Sequence, residues 1–481
     1  MASPKLDLFD IQGNILRGYR SFHFARFMFF HIADAEGGRQ FLQQLLPFIT
    51  PAEWGGRKPT GATNVAINFA GLRALHLPAE CLASFPVEFQ EGMRKRAKSL
   101  GDTEESDPEL WDDVWKSGAV HILVMVYADQ PTARQARCDQ ISSLVRTINA
   151  GAPAPLISEL QHQDAQWLEI DGERTRKEHF GFADGISNPD VEGVPDNGIG
   201  EDIGNPTAPG VFRKVPVGEF ILGFPGEGGE VAPMPLPRLL GYNATYLVLR
   251  KLQQYVSRFR SFLTAQANSL NRAIGGALEP GVCAEEFLAA KMFGRWPDGS
   301  PLMTRPDAPA ADPGNEFSYT EDPSGARCPL GAHIRRAYPR DFLGFDGKLV
   351  NRRRLIRRGI AYGDYLKPGQ EDRGDRGIIF LAFNSGFDQF EFVQGNWINY
   401  GDDFQQGNDV DPIAGNRTSG RPTAGSRKRD RMMIPGDDTK PRRPFLCFDI
   451  PRFVSTKGGD YFFVPSLTGL RLIASDQVRV S

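Results

Sequence analysis

Four short segments place chemistry-bearing side chains among glycines and apolar residues. The first is GFADG at 181–185. It holds the Asp184 carboxyl in a tight turn, and its glycines let backbone pass close to a flat ligand. A plain turn in which Asp184 caps a backbone amide would use the same five residues. The second, CPLGAHIRRAYPRD at 328–341, sets His333 just after Gly331 and ahead of Arg335, Arg336 and Arg340. One imidazole with guanidiniums nearby suits a metallocofactor that carries carboxylates, the nitrogen for the metal and the arginines for the acid groups. A packed or solvated histidine is the plainer reading. The third, NRRRLIRRGIAYG at 351–363, reads as a solvated basic face, except that Arg357 lies between Leu355–Ile356 and Gly359–Ile360. That setting directs Arg357 inward, where a buried guanidinium needs a partner, and Asp184 is one candidate. The fourth is the apolar run GIIFLAF at 377–383, in which Leu381 and Phe383 are two apart and share a strand face. They serve either as core or as the dry wall over a reactive centre.

The chain that positions these segments has 481 residues, so two domains are the default expectation. Lys and Arg number 56 against 59 Asp and Glu, a net charge of −3 that speaks against a nucleic-acid coat. No run of eighteen apolar residues occurs and the first residues lack a signal-peptide core, so a soluble, cytoplasmic protein with no membrane partner is expected. Five scattered cysteines without a CxxC exclude a redox dithiol, a zinc ribbon and covalent c-type haem. Phosphate-loop, zinc-protease, EF-hand and serine-hydrolase motifs are absent. Seven histidines, none at metal-pair spacing, leave a metal held by a single histidine, of which haem iron is the main case. The 34 phenylalanines provide walls for a large apolar ligand.

Hydrophobic periodicity predicts strands at 22–32, 121–127, 219–224, 245–250, 377–383 and 460–465, with helices at 36–49, 131–148 and 252–270. Two rounds of strands mixed with helices predict an α+β chain of two domains with related topology, 1–215 and 216–481. Long Gly-, Pro- and Asp-rich loops are expected at 187–218, 297–330 and 401–444.

Taken together, the four segments resemble the dye-decolorising peroxidases, in the larger C/D-type branch of that haem family. The resemblance spans most of the chain: DIQGNILRGY at 10–19, GFADGISNP at 181–189, CPLGAHIRRAYPRD at 328–341, IRRGIAYG at 356–363, DQFEFVQGNW at 388–397 and GGDYFFVPSL at 458–467. It implies two ferredoxin-like domains of the dimeric α+β barrel type, with one haem b per chain held mainly by the C-terminal domain. By the same resemblance His333 is the proximal iron ligand, Asp184 the distal carboxylate and Arg357 the distal arginine. Leu381 and Phe383 become the apolar distal residues, and Arg335 pairs with a haem propionate. The proximal imidazole is expected to donate its other N–H to Asp402 or Asp403. Trp397 is the candidate surface relay for electrons from bulky dyes. Gly359 departs from branches that carry Asn there, and removes an amide from the peroxide site.

The implied activity is reduction of hydrogen peroxide through a ferryl intermediate, with dyes, phenols or other aromatics as electron donors. Asp184 would move the peroxide proton and Arg357 would stabilise the separating charge. A carboxylate base suits acidic conditions, where a distal histidine would be protonated, so acid pH is expected to favour the reaction. A haem carrier or iron-releasing protein is the alternative, and it has no need of the Asp184–Arg357 pair. Nucleic-acid binding through Arg352–Arg358 ranks last.

Overall fold

The computed structural model describes residues 6–54, 58–194, 205–208, 211–275, 278–310, 314–407, 409–417, 430–437, 439–440 and 442–480. The expected loops at 187–218, 297–330 and 401–444 therefore fall partly outside the described residues.

The N-terminal half forms β1 (Phe24–Ile32), α1 (Ala35–Leu45), β2 (Gly61–Ile67), β3 (Ile122–Ala128), α2 (Pro131–Ile148) and β4 (Ile157–Glu159). Local chemistry sets these limits. Asp34 caps α1 by accepting from Gly37 N at 2.9 Å, and Pro131 opens α2, where its missing N–H is not needed. Cys138, Ile141, Val145 and Ile148 form the buried stripe of α2 at helical spacing. All seven residues of β3 are buried, as a central strand requires.

The C-terminal half repeats the plan with β5 (Thr245–Gln254), α3 (Val256–Ala273), β6 (Ile356–Arg357), β7 (Gly377–Asn384), α6 (Phe387–Phe392) and β8 (Val454–Val464). Inserted after α3 are α4 (Ala284–Phe293) and α5 (His333–Ala337), and the last helix is α7 (Leu467–Ala474).

The sheet runs β6-β7-β5-β8-β2-β3-β1-β4, with short strands Gln163–Gln166 and Ile360–Tyr362 added beside β1 and β7. If each half's four strands are numbered in chain order, both halves show the same sequence, second-third-first-fourth. That is the ferredoxin-like arrangement, used twice. The halves meet at a single β8–β2 pairing, Phe463 opposite Ile67. One apolar core runs across both halves, and a second lies between α3, α4 and the loops behind them. From the end of the C-terminal half, α7 crosses back to pack on α1.

One expected strand is absent. Residues 219–224 fold as turns, Phe220 N and Ile221 N both donating to Val217 O at 2.9 Å. Phe220, Ile221 and Leu222 are fully buried there. A short apolar run records burial, and burial alone does not separate a strand from a packed turn.

Candidate active site

A cavity of about 420 Å³ opens on one face of the C-terminal half-sheet. Its floor is made by alternate residues of three neighbouring strands: Ile378 and Phe380 of β7, Leu252 and Gln254 of β5, and Val454 and Thr456 of β8. This overturns the expected wall. Leu381 and Phe383 are fully buried on the opposite face, in the core shared by both halves, paired across from Leu249 and Leu247. The run is apolar on both faces, so its pattern does not fix which parity meets the cavity.

His333 is the first residue of α5 and lines this cavity. Its ring is enclosed by protein, yet 28% of its side-chain surface stays open, which is the part facing the cavity. Nδ1–H donates to Asp411 Oδ2 at 3.0 Å. The other oxygen, Asp411 Oδ1, accepts from Ile413 N and Ala414 N, each at 2.8 Å. Burial pushes the His333 imidazole down, but the Asp411 charge and hydrogen bond outweigh it and hold the ring above its ordinary value. Burial pushes Asp411 up, and the same pairing holds it below. Nε2 has no protein partner among the described residues.

The expected proximal carboxylates lie elsewhere. Asp402 and Asp403 are exposed, and Asp403 Oδ2 accepts from Trp397 Nε1 at 3.0 Å. Sequence reasoning missed Asp411, although a signal exists: Asp-Pro followed by Ile413 and Ala414 is a turn opening in which the carboxylate takes the next free amides. Trp397 itself is 2% exposed and lines the cavity, so it is not a surface residue.

Arg335 is also displaced from its expected place. It is sealed in the second core, donating to Asp322 Oδ2 at 3.1 Å and Cys328 O at 2.7 Å, and it does not reach the cavity. On α5, side chains two residues apart point in different directions, and Arg335 leaves on the side away from His333. Arg340 takes the cavity position instead. It is 3% exposed, and its partners are the neutral Ser187 Oγ, Asn315 Oδ1 and two backbone carbonyls.

Asp184 and Arg357 line the same cavity as His333. The glycines that flank Asp184 have φ of +99° at Gly181 and +75° at Gly185, conformations a side chain would strain. Asp184 Oδ1 accepts from Gly185 N at 2.6 Å, and Oδ2 has no hydrogen-bond partner among the described residues, which makes it the open oxygen. A Cβ on Gly359 would lie 3.8 Å from that oxygen, so this glycine keeps the space beside it clear. Arg357 does not pair with Asp184. Its Nη2 donates to Ile186 O at 2.6 Å and its backbone N–H to Asn188 Oδ1 at 2.9 Å. The loop after Asp184 thus aims the guanidinium, and the positive charge has no acid partner among the described residues.

These features fit a haem on their own terms. Among the described residues His333 Nε2 has no hydrogen-bond partner, the floor is largely apolar, and the buried Arg340 charge bonds only neutral groups, a setting that suits an entering acid group. Fold and site together define a ferredoxin-like repeat protein with one cavity that His333, Asp184, Arg357 and Arg340 all line. A family model described as the DyP dimeric alpha+beta barrel domain matches residues 10–151. The chain is 30% identical to dye-decolorizing peroxidase msp1 of Mycetinis scorodonius, over 98% of this chain and 89% of that one. It is 28% identical to the multifunctional dye peroxidase DyP2 of an Amycolatopsis species, covering 98% and 96%. Among solved structures, an ancestral D-type dye-decolorizing peroxidase superposes with a TM-score of 0.79 at 29% identity, covering 97% and 99%. A dye-decolorizing peroxidase in complex with 2,6-dimethoxyphenol gives 0.75 at 27%, covering 98% and 100%. The chain belongs to the dye-decolorising peroxidases, a haem-dependent enzyme family.

Proposed function

We propose that this chain holds one haem b and uses hydrogen peroxide to oxidise phenols, dyes and related aromatic donors. The observation that carries the reading is the His333–Asp411 pair, with its second ring nitrogen open to a cavity that Asp184 and Arg357 also line. His333 Nε2 would hold the iron, and Asp411 would fix the ring's tautomer and strengthen it as a donor. Arg340 would hold a haem carboxylate. When bound, the haem supplies an iron centre that accepts the oxidising equivalents of peroxide.

The chain's own residues move the proton and place the charge. Asp184 Oδ2 takes the proton from the inner peroxide oxygen and returns it to the outer one, which leaves as water. Arg357 keeps its position through Ile186 O and stabilises negative charge as the oxygens separate. Ile378 and Phe380 exclude bulky groups and excess water from that space.

The test is turnover of a phenolic donor by haem-loaded protein, wild type against Asp184→Asn. The expected result is a loss of about 100- to 10,000-fold in kcat/KM for peroxide with haem retained. A haem-loaded wild type that does not turn over would instead support a haem carrier.

A further inference from the structure

The cavity is also lined by a buried carboxyl, Glu178, for which the peroxide chemistry above has no use. The chain from 178 to 184 is folded around it. Phe180 N donates to Oε2 and Phe182 N to Oε1, each at 2.9 Å, while Gln254 Nε2 on the cavity floor also donates to Oε2. The backbone closes the same turn, with Glu178 N donating to Phe182 O at 2.9 Å and Gly181 N to Glu178 O at 2.8 Å. Two residues later the chain delivers Asp184, whose N–H reaches back to Arg176 O at 3.0 Å. The Glu178 carboxyl is thus the hub on which the Asp184 loop is wound, and Gln254 anchors that hub to β5.

We propose that Glu178 is the positioning residue for Asp184, and that its change of charge sets the upper pH limit of the peroxide step. Glu178 is 7% exposed and lines the cavity. Burial pushes its carboxyl up to about 7, against the donors that favour its charge, and the neighbouring Asp184 charge adds to the rise. The groups that donate to this carboxyl carry no charge of their own. Gln254 from β5 is neutral, and Phe180 and Phe182 give only backbone N–H. His179 on the same loop is buried and held neutral, its ring pushed down to about 4 and its Nε2 on Tyr362 O. Asp184 and His333 are the ionisable groups electrostatically coupled to Glu178. Ionisation therefore adds a negative charge that is coupled to Asp184 in the shared cavity, opposing approach of peroxide anion and the negative charge developed there.

The test uses Glu178→Gln in two arms, and only the kinetic arm rests on the haem-peroxidase reading. In haem-free protein, the folded-state carboxyl titrates above the unfolded one, so ionising it costs stability. The wild-type melting temperature should fall as pH rises from 5 to 7, relative to the variant. In haem-loaded protein, the rate of the peroxide-induced absorbance change should fall about tenfold per pH unit above 7 in wild type and stay level in Glu178→Gln. Gln254→Leu, which removes a donor to the charged form, should move the break to higher pH. Parallel pH profiles for wild type and both variants overturn the proposal. A haem-loaded wild type inert to peroxide at every pH refutes the peroxidase reading itself, while the melting arm still reports whether Glu178 ionises near neutrality.

Discussion

In the proposed haem site, Asp411 would determine what kind of ligand His333 is. A fully buried carboxylate that accepts the Nδ1–H hydrogen bond leaves Nε2 unprotonated with its lone pair free, and raises its electron density. Asp411→Asn should weaken haem affinity by about 10- to 100-fold, read by titrating haem into apo-protein. Asp402→Asn and Asp403→Asn should leave it unchanged, since both residues are exposed and the ring's bond goes to Asp411 instead. Arg335 has a different task from the one its neighbour relation to His333 suggests. It and Asp322 are 0% and 3% exposed at the side chain, and both sit in the core. Arg335→Ala should destabilise the protein by about 3–5 kcal/mol, measured by denaturant unfolding, because it leaves a buried carboxylate without its partner. Arg340→Ala should instead act mainly on haem retention. The residue types and order around His333, Asp184 and Arg357 were legible because motif spacing carries them. Which of several acids or arginines meets the site was not, because that choice depends on how loops such as 402–414 return in space.

At the scale of elements, β7 shows where pattern reading stops. Its apolar run and its length were readable, but its parity was not, because both faces are buried. Parity has measurable consequences. Leu381→Ala should cost about 2–5 kcal/mol of stability while leaving cavity spectra unchanged. Phe380→Ala should leave more space over the site and alter cyanide or peroxide binding with less effect on the shared core. The strand expected at 219–224 failed for a related reason: its residues are as buried as any strand's, but they pack as turns against Ala244 and Val217. Helices were read more accurately. The α2 limits match the expected 131–148, since Pro131 and a four-residue buried stripe mark them chemically.

Across the whole molecule, the repeat of one strand order was legible only as two rounds of strands and helices. The continuous sheet and the return of α7 to α1 join distant parts of the sequence, which local periodicity does not encode. This architecture places the site. The C-terminal sheet supplies the floor, the insertion between α3 and β6 supplies His333, and the 178–188 loop, just ahead of the C-terminal repeat, supplies Asp184 and the acceptors for Arg357. Because one core runs through both halves, unfolding of the apo-protein should be a single transition, with tryptophan fluorescence and far-ultraviolet circular dichroism coincident. The central claim is that His333 holds a haem whose peroxide reaction Asp184 and Arg357 assist. Its most direct test is the visible absorption spectrum of haem-reconstituted protein, before and after stoichiometric peroxide, for wild type and His333→Ala. The account predicts a Soret band that shifts on adding peroxide in wild type, and no stable haem complex once His333 is removed. A wild type that binds no haem, or an unchanged spectrum and response in His333→Ala, would contradict it.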